Sequence, residues 1–172
     1  MPNYPVTASA KDETISDYGA SSTTSTVMAA NFINSLGYPA RTSYGKALLD
    51  TSAIGTDTIT AATLYWYHEA YTKTKAATFD RRILVGGTEI LHSAATPAAA
   101  GWHSEALLSG ELALINKTGE TEVLFEVGDP GGSYDRSWTI RSWDNGGAGA
   151  YACYLAVTHA AAGGPTKFSI LR

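Results

Sequence analysis

Between Thr58 and Tyr71 the chain alternates small or apolar residues with hydroxylated and aromatic ones, and it contains no glycine or proline there. Read at a period of two, Ala62, Leu64, Trp66 and Ala70 fall on one face, and Thr63, Tyr65, Tyr67 and Tyr71 on the other. This predicts a long central β-strand with an apolar inner face and a tyrosine-rich outer face. The same period recurs from Thr121 to Val127, where Val123, Phe125 and Val127 point inward and Glu122 and Glu126 outward. The runs Phe79 to Val85 and Thr88 to His92 flank Gly86-Gly87 and predict a hairpin, because a two-residue hairpin turn needs positive φ angles that glycine adopts freely. Asp50 to Asp57 reads as a polar connection with one apolar plug, Ile54. Trp102 to Ile115 fits a strand or a helical turn, and Ser137 to Trp143 and Ala150 to Thr158 supply the last core strands. Short strands with a turn signal about every 8–12 residues, and no sustained helical period, predict a β-sandwich or jelly roll.

Composition adds a weakly charged surface. Only 16% of the 172 residues are charged, while the chain carries 10 Tyr and 4 Trp. The net charge of −4 argues against a nucleic-acid partner, which requires clustered Lys and Arg; Arg81-Arg82 is the nearest approach to such a cluster. A lone cysteine, Cys153, excludes an internal disulfide and is expected to be buried in its apolar run. No apolar run approaches the ~20 residues of a membrane-spanning helix, and the first thirty residues show no export signal, so no membrane partner is expected.

Candidate chemistry is sparse. His68, His92, His103 and His159 are scattered and read as surface or loop residues, since neither a zinc-helix spacing nor a deaminase cysteine pair accompanies them. No Gly-x-Ser-x-Gly elbow singles out a nucleophilic serine, and no carboxylate pair stands out as a glycosidase site. Gly146 to Gly149 follows Asp144-Asn145 and reads as a hairpin turn, not a phosphate cradle. No cofactor is expected. The metal to look for is a structural calcium, held by Asp12 and Glu13 or by Asp129, Asp135 and Asp144 in oxygen-rich loops.

Three stretches then carry a resemblance: Ala8 to Asp12 (ASAKD), Leu48 to Ile54 (LLDTSAI) and Ile59 to Tyr65 (ITAATLY). Together with Ile140 to Asp144 (IRSWD) and Tyr154 to Thr158 (YLAVT), they resemble the DNRLRE-type jelly-roll domains, which are similar to carbohydrate-binding modules. Where that motif ends on an Arg-Glu pair, this chain has Trp143-Asp144. The resemblance spans residues 8 to 159 loosely and rests on core and turn residues. It implies an all-β chain: a single jelly-roll-like antiparallel β-sandwich over 8–162, with an extended N-terminal arm over 1–7 and an extended C-terminal tail over 163–172. It also implies a binding or structural module, not a catalytic one. Such domains occur in secreted polysaccharide-active proteins and, as similar sandwiches, in virions.

The absent export signal favours a virion location, as a capsid decoration (cement) or tail-associated protein of a bacteriophage. The alternative is a carbohydrate-binding module of a secreted or cell-surface protein, located outside the cell. The expected partners are major capsid or other virion proteins and sister copies, as in a homo-oligomer such as a trimer; polysaccharide is the alternative ligand. The residues expected to meet them are Tyr65, Tyr67 and Tyr71 on the outer face, Trp102 and Trp143, and Phe168, Ile170 and Leu171 on a tail able to add a strand to a neighbour's sheet edge.

Overall fold

The computed structural model describes residues 3–4, 12–16, 27–33, 41–73, 80–95, 99–128, 135–142 and 150–171. The described chain is all-β. Twelve strands run β1 (Asn3–Tyr4), β2 (Asp12–Ser16), β3 (Val27–Ile33), β4 (Arg41–Asp50), β5 (Thr58–Lys73), β6 (Arg81–Val85), β7 (Thr88–Ser93), β8 (Gly101–Ala106), β9 (Glu120–Val127), β10 (Arg136–Arg141), β11 (Tyr154–Ala160) and β12 (Lys167–Leu171). Two single 3-10 turns, Ser52–Ile54 and Leu112–Leu114, complete the regular structure described.

All twelve strands hydrogen-bond in one curled sheet, in the order β1-β12-β11-β5-β10-β3-β4-β9-β6-β7, with β2 on β4 and β8 on β5. Neighbours are antiparallel except for β1, which lies parallel to β12. Two long strands turn the corner. Residues 63–65 of β5 pair with both β11 and β8, and His68 pairs with both β10 and β8, so β11 and β10 follow each other along one edge of β5. By the same reasoning β3 and β9 share one edge of β4, opposite β2. The result is a jelly-roll-like sandwich. One layer is β1-β12-β11-β5-β8, the other β2-β4-β9-β6-β7, and β10 with β3 joins them.

The core fills the space between the layers. Trp66 on β5 meets Phe125 on β9 at 6.3 Å between ring centroids, and Phe125 meets Trp138 on β10 edge-on at 5.6 Å. Leu64, Ile83, Val85, Val123, Ile140, Leu155 and Val157 close around them without exposure. The alternation of β9 places Val123, Phe125 and Val127 inward as expected, Ile54 plugs the end of the core, and Cys153 is buried. The Gly86-Gly87 hairpin forms with both glycines at positive φ. In the floor of β4, a Cβ on Gly45 would stand 2.9 Å from the Met28 Cβ, so only glycine lets β3 and β4 approach this closely.

Two features of the pattern come out differently. A bulge sits at Glu69, where β10 pairs Thr139 with Ala70 but Ile140 with His68. The extra residue reverses the alternation. His68, just before the bulge, keeps the inward parity of Ala62, Leu64 and Trp66; beyond it Tyr71 packs against the core, half-buried, whereas Ala70, expected inside, is exposed. The C-terminal tail is extended, as expected, and its extended run is strand β12 of the molecule's own sheet, antiparallel to β11. The slot that a neighbour's sheet would have offered is filled within the chain.

Candidate functional site

The bulge leaves an unbroken alternation up to Tyr67, and this sets the outer face of the first layer. Residues directly opposite one another share a face, so Tyr154, Tyr65 and Ser104 form one row and Tyr67 and Trp102 the next. Tyr65 and Tyr154 stack in parallel at 4.7 Å with 7° between planes. Trp102 meets Tyr67 edge-on at 5.7 Å and Tyr154 at 5.5 Å, and Tyr151 closes on Tyr67 at 4.8 Å. Arg141 from β10 lies between two of these rings, its guanidinium carbon 4.5 Å from the Tyr67 centroid and 4.4 Å from that of Tyr151. Its Nε donates to the Glu69 carboxylate, the bulged residue. The bulged residue thus sets a carboxylate alongside the arginine that the tyrosines hold.

In the other direction the face becomes small and flat. Ile170, Ala156, Thr63 and Ala106 form one row, and Phe168, Thr158 and Ala61 the next. Trp102 and Phe168, 45% and 51% exposed, are the large apolar side chains that this face leaves most open. Five rings and Phe168 thus share a face whose one ion pair is Glu69–Arg141 among the described residues.

Of the residues expected here, Tyr65, Tyr67 and Trp102 come together, and Phe168 and Ile170 lie on the same face. Leu171 enters through its backbone pairing with Leu155 and Tyr4. Tyr71 does not belong. It faces the core side, where its hydroxyl contacts the backbone of Asp80, and burial holds its phenol above the usual range. Trp143 lies outside the described residues, as do Asp129, Asp144 and the Gly146–Gly149 turn. Tyr151, Tyr154 and Arg141 were missed. The alternation of Tyr154 to Thr158 would have given Tyr154, but the place of Arg141 depends on the bulge.

The histidines also depart from expectation. His92 is exposed on the hairpin, and His103 stacks on Trp66, but His68 and His159 are core residues, 2% and 3% exposed. His68 accepts at Nδ1 from the Trp138 indole N–H at 3.1 Å. His159 Nδ1 lies 2.9 Å from Asp57 Oδ2, and its Nε2 lies 2.8 Å from Ser169 Oγ. A carboxylate only accepts, so Nδ1 donates to Asp57, while Nε2 and the Ser169 hydroxyl share the second hydrogen bond. These are the atoms and distances of a nucleophile, a base and an orienting carboxylate. The setting, however, is that of a latch. Ser169 is 7% exposed and sits opposite Val157 on the core side of β12, with its hydroxyl bonded to His159 and turned away from solvent. The groove beside the start of β5 is walled by Thr58, Ile59, Leu112, Ala113, Ile115 and Lys117 and takes in neither His159 nor Ser169. Lys167 adds a second bond to Asp57 at 3.1 Å. The cluster therefore ties β12, β11 and the entry to β5 together, and its hydrogen bonds with His159 and Lys167 hold the Asp57 carboxyl below the usual range.

No group of three or more His, Cys, Asp or Glu is arranged for a metal among the described residues. Glu13, one of the expected calcium ligands, is instead paired with Lys46 at 2.8 Å. Comparison with protein-family models, curated proteins and solved structures finds no match for this chain.

Proposed function

We propose that this domain is a non-enzymatic assembly module, and that the outer face of β8-β5-β11-β12 is the surface it buries against protein neighbours. The observation that carries the reading is the way the rings are engaged. A sugar-stacking platform needs a ring face open to solvent, whereas Tyr65 and Tyr154 cover each other's faces and the Tyr67 ring is taken up by Arg141 and the edges of Trp102 and Tyr151. What such a cluster offers outward is a rigid surface of ring edges and hydroxyls, with little side-chain entropy left to lose. Surfaces of this kind, rich in Tyr, Trp and Arg, are where binding energy concentrates in protein interfaces. The loose resemblance to jelly-roll domains supports placing the module in a virion, as a decoration or tail-associated protein contacting capsid proteins and sister copies.

The test is co-sedimentation of the protein with the particle or complex from which it is isolated, wild type against Trp102→Ala. A hot-spot loss of ~2 kcal/mol corresponds to about 30-fold weaker association. Unchanged association would remove the reading. The exposure of Trp102 keeps one alternative alive: a glycan array on which the wild type binds and Trp102→Ala does not would identify a carbohydrate-binding module instead.

A further inference from the structure

The far end of the core, away from Asp57 and His159, gathers positive charge. Arg81 is the inward residue at the start of β6, and Arg136 is its counterpart on β10; they are 8% and 2% exposed. Beside them, Asp80 is the carboxylate that Arg136, Arg82 and His92 share. Its Oδ2 lies 3.4 Å from Arg136 Nη1, and its Oδ1 lies 2.9 Å from His92 Nε2 and 3.5 Å from Arg82 Nε. Glu89 stands 3.8 Å from Arg82 and from His92. Three guanidiniums, Arg81, Arg82 and Arg136, thus face two carboxylates.

Arg81 is the one left over. Its guanidinium carbon sits 5.6 Å from the Trp138 ring centroid, and its Nη2 reaches Ser93 Oγ at a long 3.4 Å. Its Nε is buried without a hydrogen-bond partner, and no carboxylate among the described residues lies within ion-pair distance of it. Burial alone pushes its pKa down. A cation taken out of water needs an anion or a full set of acceptors, and a ring face supplies part of that at most.

We infer that Arg81 anchors a binding site for a small oxyanion, a carboxylate, sulfate or phosphate group, at this end of the core. The unpaired Nε and the weakly engaged Nη2 lie along one side of the guanidinium plane, the side that grips two oxygens of such a group in parallel. Ser93 Oγ, bound at 3.4 Å by Arg81 and at 3.3 Å by the Ala95 N–H, is a third contact able to turn toward the anion. Ser93 is followed by the exposed Ala94 and Ala95, at the end of β7, the strand that closes the order of its layer. The site lies at a core end and not on the aromatic face, so it stands or falls independently of the assembly reading.

The experiment is thermal unfolding at constant ionic strength in chloride, with sodium sulfate, phosphate or glucuronate replacing chloride stepwise. At ~10 times the dissociation constant, a specific anion raises Tm by about 3–6 °C for a chain of this size. Which of the three acts distinguishes a free inorganic ion from a carboxylate carried by a larger molecule. Arg81→Met removes the response, and Lys46→Gln, a neutralisation on the outer face of β4, keeps it. If Arg81→Met does not fold, Ser93→Ala serves, with an expected severalfold rise in the concentration giving half the shift. Equal Tm in all three anions and chloride overturns the inference. So does an Arg81→Met protein, or in its place a Ser93→Ala protein, that responds like the wild type.

Discussion

The two layers of this sandwich turn very different surfaces outward. On β2-β4-β9-β6 the outward residues include Glu13, Lys46, Glu122, Glu126 and Arg82, alternating with Leu48, Leu124 and Leu84, and Lys46 is paired across strands with Glu13. On β8-β5-β11-β12 they are Trp102, Tyr65, Tyr67, Tyr154, Phe168 and Ile170 over a floor of Ala and Thr, with one ion pair among the described residues. The two layers share the apolar core beneath them. Burial alone therefore does not explain the contrast. A face kept in water needs interspersed charge, as the first layer named here has. A face that spends its working life covered does better with rigid aromatic side chains and few charges to desolvate.

The sharpest way to break this contrast is to make the faces alike. Trp102→Glu places an unpaired carboxylate among the rings and is expected to weaken assembly by at least about 100-fold, as buried unpaired charges do. Leu124→Glu on the charged layer should change association by less than about twofold. Both are read by co-sedimentation, with circular dichroism to show that the fold survives. Next in size is Gly45→Ala, beneath the charged layer. The new Cβ, 2.9 Å from the Met28 Cβ, is expected to cost about 1–3 kcal/mol in urea unfolding while leaving the aromatic face, and so the affinity of the folded fraction, intact.

A smaller effect belongs to the latch under the aromatic layer. Asp57 titrates below its ordinary value of 3.8 in the folded chain and at that value once unfolded. Between the two the unfolded chain holds more protons, so stability rises with pH across that interval. The contribution is present above the unfolded pKa and is lost as the pH falls through the folded one. Asp57→Asn should flatten the acid limb of the stability curve below about pH 4, measured by unfolding at a series of pH values. A limb as steep as that of the wild type would show that Asp57 does not hold β12. Smallest of all, Lys46→Ala removes a partly exposed ion pair of the charged layer and should cost less than about 1 kcal/mol in the same assay.

Much of the fold was legible in the sequence because it is written locally. Alternation in β5 and β9, the Gly86-Gly87 turn and the Ile54 plug depend on residues a few positions apart, and the structure contains all of them. What was not legible depends on partners distant in the chain. The bulge at Glu69 is defined by pairing with β10, and nothing in the local pattern of Tyr67 to Tyr71 announces it. Without it, Tyr71 was counted among the outward tyrosines and Arg141 was not seen at all. His159 finds Asp57 at a separation of 102 residues and so read as a scattered surface histidine until the sheet brought them together; His68 shares the inward parity of Leu64 and Trp66 and was legible there, and only its partner Trp138, 70 residues on, was not. The tail misled for a related reason. Its apolar residues, Phe168 and Ile170, point outward and its buried residue is a serine, an inversion that makes sense only once His159 is beneath it.

That inversion also changes how the tail is to be used. Removing residues 166–172 deletes β12, with Ser169 and Lys167 of the latch, and so disturbs the domain itself; substitutions on the outer face are the cleaner probe. The most direct measurement is hydroxyl-radical footprinting of the protein free and in its native assembly, read by mass spectrometry at residues of both layers. If the aromatic layer is the assembly surface, oxidation of Trp102, Tyr154 and Phe168 falls severalfold in the assembly, while Leu124 and Leu84 on the charged layer react as they do in the free protein. Equal oxidation of Trp102 and Phe168 in both states, or protection confined to the charged layer, would contradict it.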